Sequence, residues 1–388
     1  MSTSDSPKFY EFFAGGGMAR AGFKGWECIF SNDFDEKKAD AYRLNYPAED
    51  FHEGDVWKVS DVPTGGSLAW ASSPCQDLSL AGKRVGLKGE RSAAFWGFWG
   101  HIQSLGEKDA RPEIVVVENV VGLLSSHSGQ DFSAICDALV EEGYQIGAVE
   151  IDASIFVPQS RQRVFLIGAR GPIDPNLVSE EPIKPFHTTS VKAAYDRLGQ
   201  TAQEAWVWWK VAQPNQRTRT LRDVLEPVAA DQWHSREYTD SLILMMSDEN
   251  LAKLKTMQRG KTDVYGTGFR RMREVLGVKT QRVELRFDGV AGCLRTPRGG
   301  SSSQFLIEVK GDDVRTRRLT AREAARLMGL PDTYQLPSRW TAALKVMGDG
   351  VVVDVVSHLR EQLFEPILSF KRRGHKGWQK TASVIGAA

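Results

Sequence analysis

The length, composition and charge of the chain exclude several classes of protein. With 388 residues, of which 41% are hydrophobic and 26% charged, the chain is too long for one ordinary core and too balanced in composition for a disordered or fibrous protein, so we expect two globular domains. A net charge of +1 neither favours nor excludes a nucleic-acid partner, because such a partner needs only local positive charge.

Apolar runs and cysteine spacing bear on the compartment. No apolar run approaches the length of a membrane span, and the polar start Met1–Asp5 lacks the pattern of a secretion signal, so we expect a cytoplasmic protein that does not contact a membrane. We also expect a monomer. The four cysteines lack the spacing of a zinc site or a disulfide framework, and the seven histidines show no ligand spacing. We therefore expect reduced thiols and no metal. The cysteines are Cys28, Cys75, Cys136 and Cys293.

Residues 8–170 alternate short apolar strands with helix-compatible segments. In chain order these are KFYEFFA, ARAGFKG, WECIFSND, DEKKADAYRLNY, SLAWASS, AAFWGFWGHIQSL, EIVVVENV, FSAICDALVEEG, YQIGAVEID and RVFLIGA. Such alternation predicts an α/β layer with a mostly parallel sheet. We assign residues 1–170 to this first domain.

The alternation breaks down after Gly171, where prolines and then tryptophans mark a boundary. We place a second domain at 171–310. Within it, residues 259–298 hold ten basic side chains against four acids, which is what a phosphate-contacting surface needs, although a solvated basic face has the same composition. The ten are Arg259, Lys261, Arg270, Arg271, Arg273, Lys279, Arg282, Arg286, Arg295 and Arg298.

Helical order returns in the last segment, residues 311–388. Thr320 and Glu323 have the spacing of a capping box before an apolar stripe, which predicts a helix that begins there. The amphipathic stretch GVVVDVVSHLREQLFEPIL follows, and we expect it to pack back on the first domain.

The first chemical motif is the glycine-rich turn Phe13–Gly17, directly after an apolar strand. Glycines there let a ligand approach backbone amides, and open α/β sheets bind ligands at the carboxyl ends of their strands. A tight strand-to-helix connection would look the same. Asp33 and Phe34 at the end of the second strand offer an acid for ribose hydroxyls and a ring for adenine, and Asp55 offers an acceptor for an exocyclic amine.

The second motif is Ser73–Gln76, which follows the strand SLAWASS and contains Cys75. A cysteine is more often core filler than a nucleophile, but this one precedes a segment rich in Gly, Ser and Lys that is typical of an exposed loop. Glu118 ends the strand EIVVV, where a carboxyl group is either partnered or functional. Arg161 and Arg163 stand at alternate positions, which predicts that both lie on one face of the next strand.

The motifs FAGGG, SPCQ, ENV and QSRQR, closed by RRLTAREAARLMGLPDTY and MGDGVVVDVV, resemble in content and order those of the cytosine-5 DNA methyltransferase family. The resemblance covers residues 8–170 and 290–365. It implies a Rossmann-like, S-adenosylmethionine-dependent methyltransferase domain with a second, smaller target-recognition domain. It also implies double-stranded DNA as partner and a place in a restriction-modification system.

The resemblance also implies roles for particular residues. It implies a covalent nucleophile at Cys75, action at ring nitrogen 3 of the base by Glu118, and support of the base by Arg163, with Arg161 beside it and Gln76 in a segment that closes over flipped DNA. The residues implied for the cofactor are Phe13, Ala14, Gly15, Gly17, Asp33, Phe34, Asp55, Val56, Pro74, Asp349 and Val351. Those implied for DNA are Ser79, Lys83, Arg84, Arg91, Arg295, Thr296, Arg298 and Gly299.

The sequence departs from the family pattern at several positions. Glu11 and Asp349 stand where the family usually has Asp and Asn, Met18 replaces a glycine, and Ser72-Ser73 precede the Pro-Cys pair. Asp349 brings a negative charge toward the methyl donor, which bears on cofactor affinity and on the group transferred. Three alternatives stay open: an RNA methyltransferase of the same family, a catalytically inactive DNA-binding relative, and a Rossmann oxidoreductase, for which no nicotinamide site is evident.

Overall fold

A computed structural model of the chain describes residues 6–73, 94–260, 262–275, 277–296 and 303–373. Its strands are β1 (Lys8–Phe12), β2 (Glu27–Asp33), β3 (Phe51–Glu53), β4 (Leu68–Ser72), β5 (Ile114–Asn119), β6 (Tyr144–Asp152), β7 (Gln162–Arg170), β8 (Val178–Ser179), β9 (Trp208–Trp209), β10 (Val264–Val275), β11 (Val278–Arg286), β12 (Phe305–Lys310) and β13 (Asp313–Arg318). Its helices are α1 (Met18–Gly22), α2 (Glu36–Arg43), α3 (Ala94–Glu107), α4 (Gln130–Glu141), α5 (Thr189–Tyr195), α6 (Gln200–Glu204), α7 (Leu221–Val224), α8 (Arg236–Leu244), α9 (Asp248–Gln258), α10 (Ala321–Leu327), α11 (Trp340–Asp349) and α12 (Val353–Leu359).

The larger sheet has seven strands in the order β3-β2-β1-β4-β5-β7-β6. All neighbouring pairs from β3 to β5 are parallel, and β7 runs antiparallel to both β5 and β6. The predicted α/β fold with a mostly parallel sheet is therefore confirmed. Because β1, β2 and β4 are parallel neighbours, the turns that follow them meet at one edge.

Both faces of this sheet are covered, which is why its strands are apolar throughout rather than alternating. On β1, Phe9 packs in one cluster with Val356 of α12, whereas Tyr10 packs in the opposite cluster with Phe98 of α3. A Cβ atom at Gly22 would lie 2.5 Å from Cβ of Val356, so glycine is what allows α1 and α12 to approach so closely. The C-terminal stretch thus packs against the first sheet.

The smaller sheet has four antiparallel strands in the order β11-β10-β12-β13. Its core joins Leu242 of α8 and Leu254 of α9 to the strand residues Val283 and Ile307. Its strands lie within residues 264–318, mostly inside the range 171–310 for which the sequence predicts a second domain. The last strand of the smaller sheet extends to Arg318. Strands β8 and β9 pack on the first sheet instead: directly before β9, the amide of Val207 donates a hydrogen bond to the carbonyl of Ile146 on β6.

Helix α10 begins as the sequence predicts. Thr320 and Glu323 form the predicted capping box at the start of α10, each side chain accepting from the other residue's backbone amide. Within the described residues, no helix is both long and apolar enough to span a bilayer.

Candidate active site and adjoining cleft

The glycine-rich turn after β1 has left-handed backbone at Phe13, Gly15 and Gly17, with φ of 58°, 58° and 74°. Such a conformation is strained for phenylalanine, at a cost of about 1 kcal/mol or more. The turn is fixed to the end of β2, because the amide of Gly15 donates to Oδ2 of Asp33 at 2.8 Å and the amide of Ala14 donates to the carbonyl of Asn32 at 2.9 Å. At Gly17 a side chain has no room, since a Cβ atom would lie 2.3 Å from the ring of Tyr46.

The two predicted cofactor acids, Asp33 and Asp55, lie at or just after the ends of β2 and β3. Asp33 is buried, and Phe34 beside it is 67% exposed, an unusual state for a phenylalanine. Asp55 precedes the buried Val56 and accepts a hydrogen bond from the amide of Trp57. Burial raises the pKa of the Asp33 carboxyl group, while the charge of Lys38 and two backbone amides oppose that rise.

Asp349 and Val351 reach the same region from the end of α11. Val351 is buried in the core. Asp349 has a polar partner at each carboxylate oxygen: Oδ2 lies 2.9 Å from Nζ of Lys38, and Oδ1 accepts a hydrogen bond from the hydroxyl of Thr296. Thr296, which the family resemblance assigns to DNA, therefore contacts a residue that the same resemblance assigns to the cofactor. Lys38 was not identified from the sequence as a site residue. The three-residue spacing of Asp35 and Lys38, which places them on one helical turn, was the only signal available.

Two of the predicted catalytic residues, Glu118 and Arg163, lie together near the ends of β4 and β5. Asn119 donates its side-chain amide to both the carbonyl and the hydroxyl of Ser73, each at 3.1 Å, so the ends of the two strands are joined. Glu118 is buried, and its Oε1 lies 3.0 Å from Nε of Arg163 on β7. Two of the residues predicted for catalysis thus form an ion pair. Sequence connects this point to Cys75 within two residues.

Several predicted site residues lie outside the described residues. They are Pro74, Cys75, Gln76, Ser79, Lys83, Arg84, Arg91, Arg298 and Gly299.

Arg161 has different surroundings from Arg163, although alternation predicts a shared face. Its guanidinium is buried and donates to three backbone carbonyls, at 3.0, 2.9 and 2.6 Å, and to Sγ of Cys293 at 3.3 Å. Strand alternation does not reach Arg161, because β7 begins at Gln162. Burial lowers the pKa of Arg161 to about 10, which leaves it charged at neutral pH. The three carbonyls belong to Leu294, Gly348 and Gly350.

A cleft of about 1060 Å³ opens between Arg163 and the smaller sheet. Arg163 and the exposed Arg295 lie on one side of it, and the start of α9 with strands β10 and β11 forms the other side. The strand residues that line it are Phe269, Arg270, Arg271, Arg273, Arg282, Glu284, Leu285 and Arg286. The basic excess noted in the sequence is therefore concentrated on a concave surface beside the Glu118–Arg163 pair.

The outer halves of β10 and β11 form a projecting arm. Strand β12 pairs with β10 only along Val264–Gly268, whereas β11 pairs with β10 as far as Val275. Arg271 lies directly opposite Arg282 in this hairpin, an arrangement of like charges that destabilises a sheet in the absence of a counter-charge. Glu284 supplies one, at 3.9 Å from Arg271.

No group of three His, Cys, Asp or Glu side chains in the described ranges has the geometry of a metal site.

Comparison with known proteins identifies the family. The model of the "C-5 cytosine-specific DNA methylase" family matches residues 7–365. Among curated proteins, the type II methyltransferase M.HhaI of Haemophilus parahaemolyticus is 25% identical over 359 residues, covering 91% of this chain and 92% of its own length. M1.ScrFI of Lactococcus lactis subsp. cremoris is 27% identical over 371 residues, covering 94% and 80%.

Solved structures agree on the fold. The Dnmt2 methyltransferase of S. pombe superposes with a TM-score of 0.56 at 18% identity, covering 93% of this chain and 99% of its own. The Entamoeba histolytica methyltransferase EhMeth gives 0.55 at 17% identity, with the same coverages. With the family model spanning nearly the whole chain, the resemblance read from the motifs is confirmed. The chain belongs to the C-5 cytosine-specific DNA methylase family and is a cytosine methyltransferase.

Proposed function

We propose that the enzyme transfers a methyl group from S-adenosylmethionine to carbon 5 of a cytosine flipped out of duplex DNA, through a covalent bond to Cys75. One observation carries this proposal: the buried Glu118 pairs with Arg163 beside the end of β4, three residues before Cys75 in the chain, and Arg163 lines the arginine-rich cleft. A base that enters from the cleft would meet these groups first.

The turn after β1 fits the proposed methyl donor. Apart from its two chain neighbours, no described residue has an atom within 4 Å of the position a Cβ would take on Gly15, so its backbone is open to a ligand among those residues. The exposed ring of Phe34 offers a stacking surface for adenine. Asp33 would accept from the ribose hydroxyls and Asp55 from the exocyclic amine. Other residues proposed for this pocket are Phe13, Ala14, Gly17, Val56, Pro74, Asp349 and Val351. When bound, S-adenosylmethionine supplies an electrophilic methyl group.

The chain's own residues would make carbon 5 of cytosine nucleophilic. The thiolate of Cys75 adds to carbon 6, ring nitrogen 3 takes up a proton from the carboxyl group of Glu118, and Arg163 stabilises the charge that develops at the carbonyl oxygen. Carbon 5 then takes the methyl group, which leaves S-adenosylhomocysteine, and gives its proton to a water molecule as the bond from carbon 6 to sulfur breaks and releases the thiolate. Glu118 takes back the proton from ring nitrogen 3. Because a stacked base is out of reach of these groups, flipping is required, and Gln76 with the segment to about Ser92 is proposed to close over the DNA.

The projecting arm supports duplex DNA over RNA as the substrate. The major groove of B-form DNA is about 12 Å wide and admits a two-stranded β-ribbon, whereas the major groove of an A-form helix is too narrow for side chains to read. The arm on β10 and β11 is such a ribbon, and its cleft-facing side carries arginines. Arg295, on the other side of the cleft, is proposed to contact the same duplex.

Substitution of the proposed nucleophile tests the mechanism. We expect Cys75→Ala to abolish methyl incorporation while its affinity for S-adenosylhomocysteine stays within about twofold of wild type, because a thiol that bonds only to the base contributes little to cofactor binding. Cys136→Ala, which removes a thiol buried within α4, is the control and should stay active.

Radiolabelled methyl incorporation is compared on duplex DNA and on transfer RNA, and mass spectrometry identifies the modified base. Full activity of Cys75→Ala would refute the covalent route. Incorporation into transfer RNA alone would refute the substrate, and any adduct other than methyl would refute the group transferred.

A further inference from the structure

The arm carries an acid among the arginines that line the cleft. Glu284 lies there with Arg271, Arg273 and Arg282. A carboxylate repels the phosphates of DNA, so it would be unfavourable on a surface that only attracted the DNA backbone. Its contacts indicate a different role, because Oε1 of Glu284 accepts a hydrogen bond from Nε of Arg273 at 2.6 Å and also pairs with Nη2 of the same guanidinium.

This contact occupies one edge of the Arg273 guanidinium. A guanidinium presents two pairs of N–H groups, one from Nε and Nη2 along its side and one from Nη1 and Nη2 at its end. Glu284 takes the side pair. The Arg273 side chain lines the cleft and is 51% exposed, so a ligand in the cleft can reach the end pair.

Arg271 is oriented by the same acid and by an aromatic ring. Its guanidinium carbon lies 4.7 Å from the centroid of the Phe269 ring, and its Nε lies 3.9 Å from Oε2 of Glu284. Phe269 stands directly opposite Glu284 in the hairpin. Each carboxylate oxygen of Glu284 therefore has an arginine beside it, and these side chains limit one another's directions.

Pairing with Glu284 changes what Arg273 is suited to bind. A guanidinium with a carboxylate at its side is close to neutral as a unit, so it attracts a phosphate weakly, whereas its remaining N–H groups still donate to an uncharged acceptor. In the major groove of DNA, guanine presents two acceptors, N7 and O6, that match an arginine fork, while each of the other bases presents at most one. The arm is a two-stranded ribbon, which that groove admits.

We propose that Glu284 is a positioning residue for sequence recognition: it holds Arg273 so that the end of the guanidinium binds N7 and O6 of a guanine in the target duplex. The inference rests on the proposed function, in which the arm enters the major groove of the DNA substrate. It adds one base to the description of the target, a guanine other than the one paired with the methylated cytosine.

The first test compares the sites that the full-length enzyme methylates. Wild type, Glu284→Ala, Arg273→Lys and Glu274→Ala each act with S-adenosylmethionine on a library of duplexes in which the positions around one cytosine are random, and bisulfite sequencing identifies the methylated duplexes. Glu274→Ala is the matched control, because Glu274 is an exposed acid of the same arm, lies on the other face opposite Lys279, and loses the same charge.

We expect the wild-type target to require a guanine at one position, and both Glu284→Ala and Arg273→Lys to lower the preference for guanine there by about tenfold, as loss of a bidentate base contact does. Glu274→Ala should keep the preference. The affinity of Glu284→Ala for a duplex of A·T pairs alone, measured by fluorescence anisotropy, should not fall, because the variant loses a charge that repels phosphates.

The second test addresses the atom on the base. Replacement of the required guanine by 7-deazaguanine removes N7 and keeps Watson–Crick pairing. It should weaken the binding of wild type about fivefold, the usual effect of one hydrogen bond, and should affect Arg273→Lys and Glu284→Ala much less, because the contact is already lost in those variants.

An unchanged guanine preference in Glu284→Ala would overturn the proposal, and so would a wild-type target without a second guanine. A preference lost in Glu284→Ala but kept in Arg273→Lys would also overturn it, because Glu284 would then accept directly from a cytosine amino group. Equal loss of affinity of Glu284→Ala for every duplex would show a purely structural role. Failure of the wild-type enzyme to methylate any duplex would instead refute the proposed function.

Discussion

At the scale of single residues, Arg161 and Arg163 show how two arginines with one residue between them acquire different tasks. Arg161 ties Leu294 to the end of α11 through backbone carbonyls, whereas Arg163 pairs with Glu118 at the edge of the cleft. The first set of contacts concerns stability, and the second concerns the proposed chemistry. Conservative substitution separates them.

We expect Arg161→Lys to lower the free energy of unfolding by about 2 kcal/mol or more, because an ammonium group cannot reach three buried carbonyls that the guanidinium fork spans. Arg163→Lys should unfold near the wild-type temperature, since it keeps a cation for Glu118, but its methyl-transfer rate should fall by about tenfold or more. Thermal unfolding and single-turnover kinetics measure the two effects. Equal losses of stability in both variants would contradict this division of roles.

Sequence could identify these residues but not what surrounds them. The motif QSRQR singled out both arginines, and strand periodicity then placed them on one face, because nothing local marks the first residue of β7. The partners of Arg161 are carbonyls more than 130 positions away in the chain. In the same way, the spacing of Asp35 and Lys38 fitted one helical turn, but only tertiary packing brings Asp349 to Lys38.

At the scale of elements, the arm of β10 and β11 carries a high density of positive charge. Arg282 faces Arg271 across the hairpin, and Lys279 lies on the opposite face, across from Glu274. Glu284, at 3.9 Å from Arg271, offsets part of the repulsion between the two arginines, so the repulsion that remains destabilises the hairpin by at most a few tenths of a kcal/mol. A polyanion in the cleft would reverse the sign of that effect.

We expect Arg282→Ala to weaken binding to duplex DNA by about tenfold or more, as loss of a base contact does, without lowering the unfolding temperature, because its removal relieves repulsion from Arg271. Lys279→Ala removes a cation from the other face of the same arm and should have a much smaller effect. Fluorescence anisotropy with labelled duplex, repeated over a range of salt concentrations, measures both variants. The same loss of affinity in the two would show that the arm contributes only diffuse charge.

The composition of residues 259–298 predicted a basic surface, and the structure contains one. The arm itself was not predictable, because it depends on how far β12 pairs along β10, and that register is set by contacts with the core of the smaller sheet. Local sequence patterns indicate that a segment is extended. They do not indicate which of its residues pair with a second strand.

At the scale of the whole molecule, chain order predicted the α/β class because each parallel crossover leaves a strand-helix pattern in the sequence. The antiparallel placement of β7 between β5 and β6 leaves no such pattern, since β6 and β7 are simply consecutive apolar strands. The return of β8 and β9 to the first sheet was likewise hidden, because their pairing spans two residues each.

Two buried groups make the stability of the whole chain depend on pH in opposite directions. Glu11 changes from a pKa of 4.5 in the unfolded chain to about 8 in the folded one, so its stabilising contribution is present below pH 4.5 and is lost as the pH rises toward 8. His187 changes from 6.5 to about 4, so its contribution is present above pH 6.5 and is lost as the pH falls toward 4. Desolvation is the main cause of both shifts.

Substitution separates the two contributions. Wild type should lose stability relative to Glu11→Gln as the pH rises from 6.5 to 8.5, and relative to His187→Asn as it falls from 6.5 to 4, each with a slope of at most about 1.4 kcal/mol per pH unit, because a single proton is involved. Neither replacement side chain is ionisable, yet the amide oxygen of each can accept the backbone hydrogen bond that the native residue accepts, from Arg20 and Ile183 respectively. Thermal unfolding across this pH range decides the matter, and curves parallel to wild type in both variants would mean that neither group titrates on unfolding.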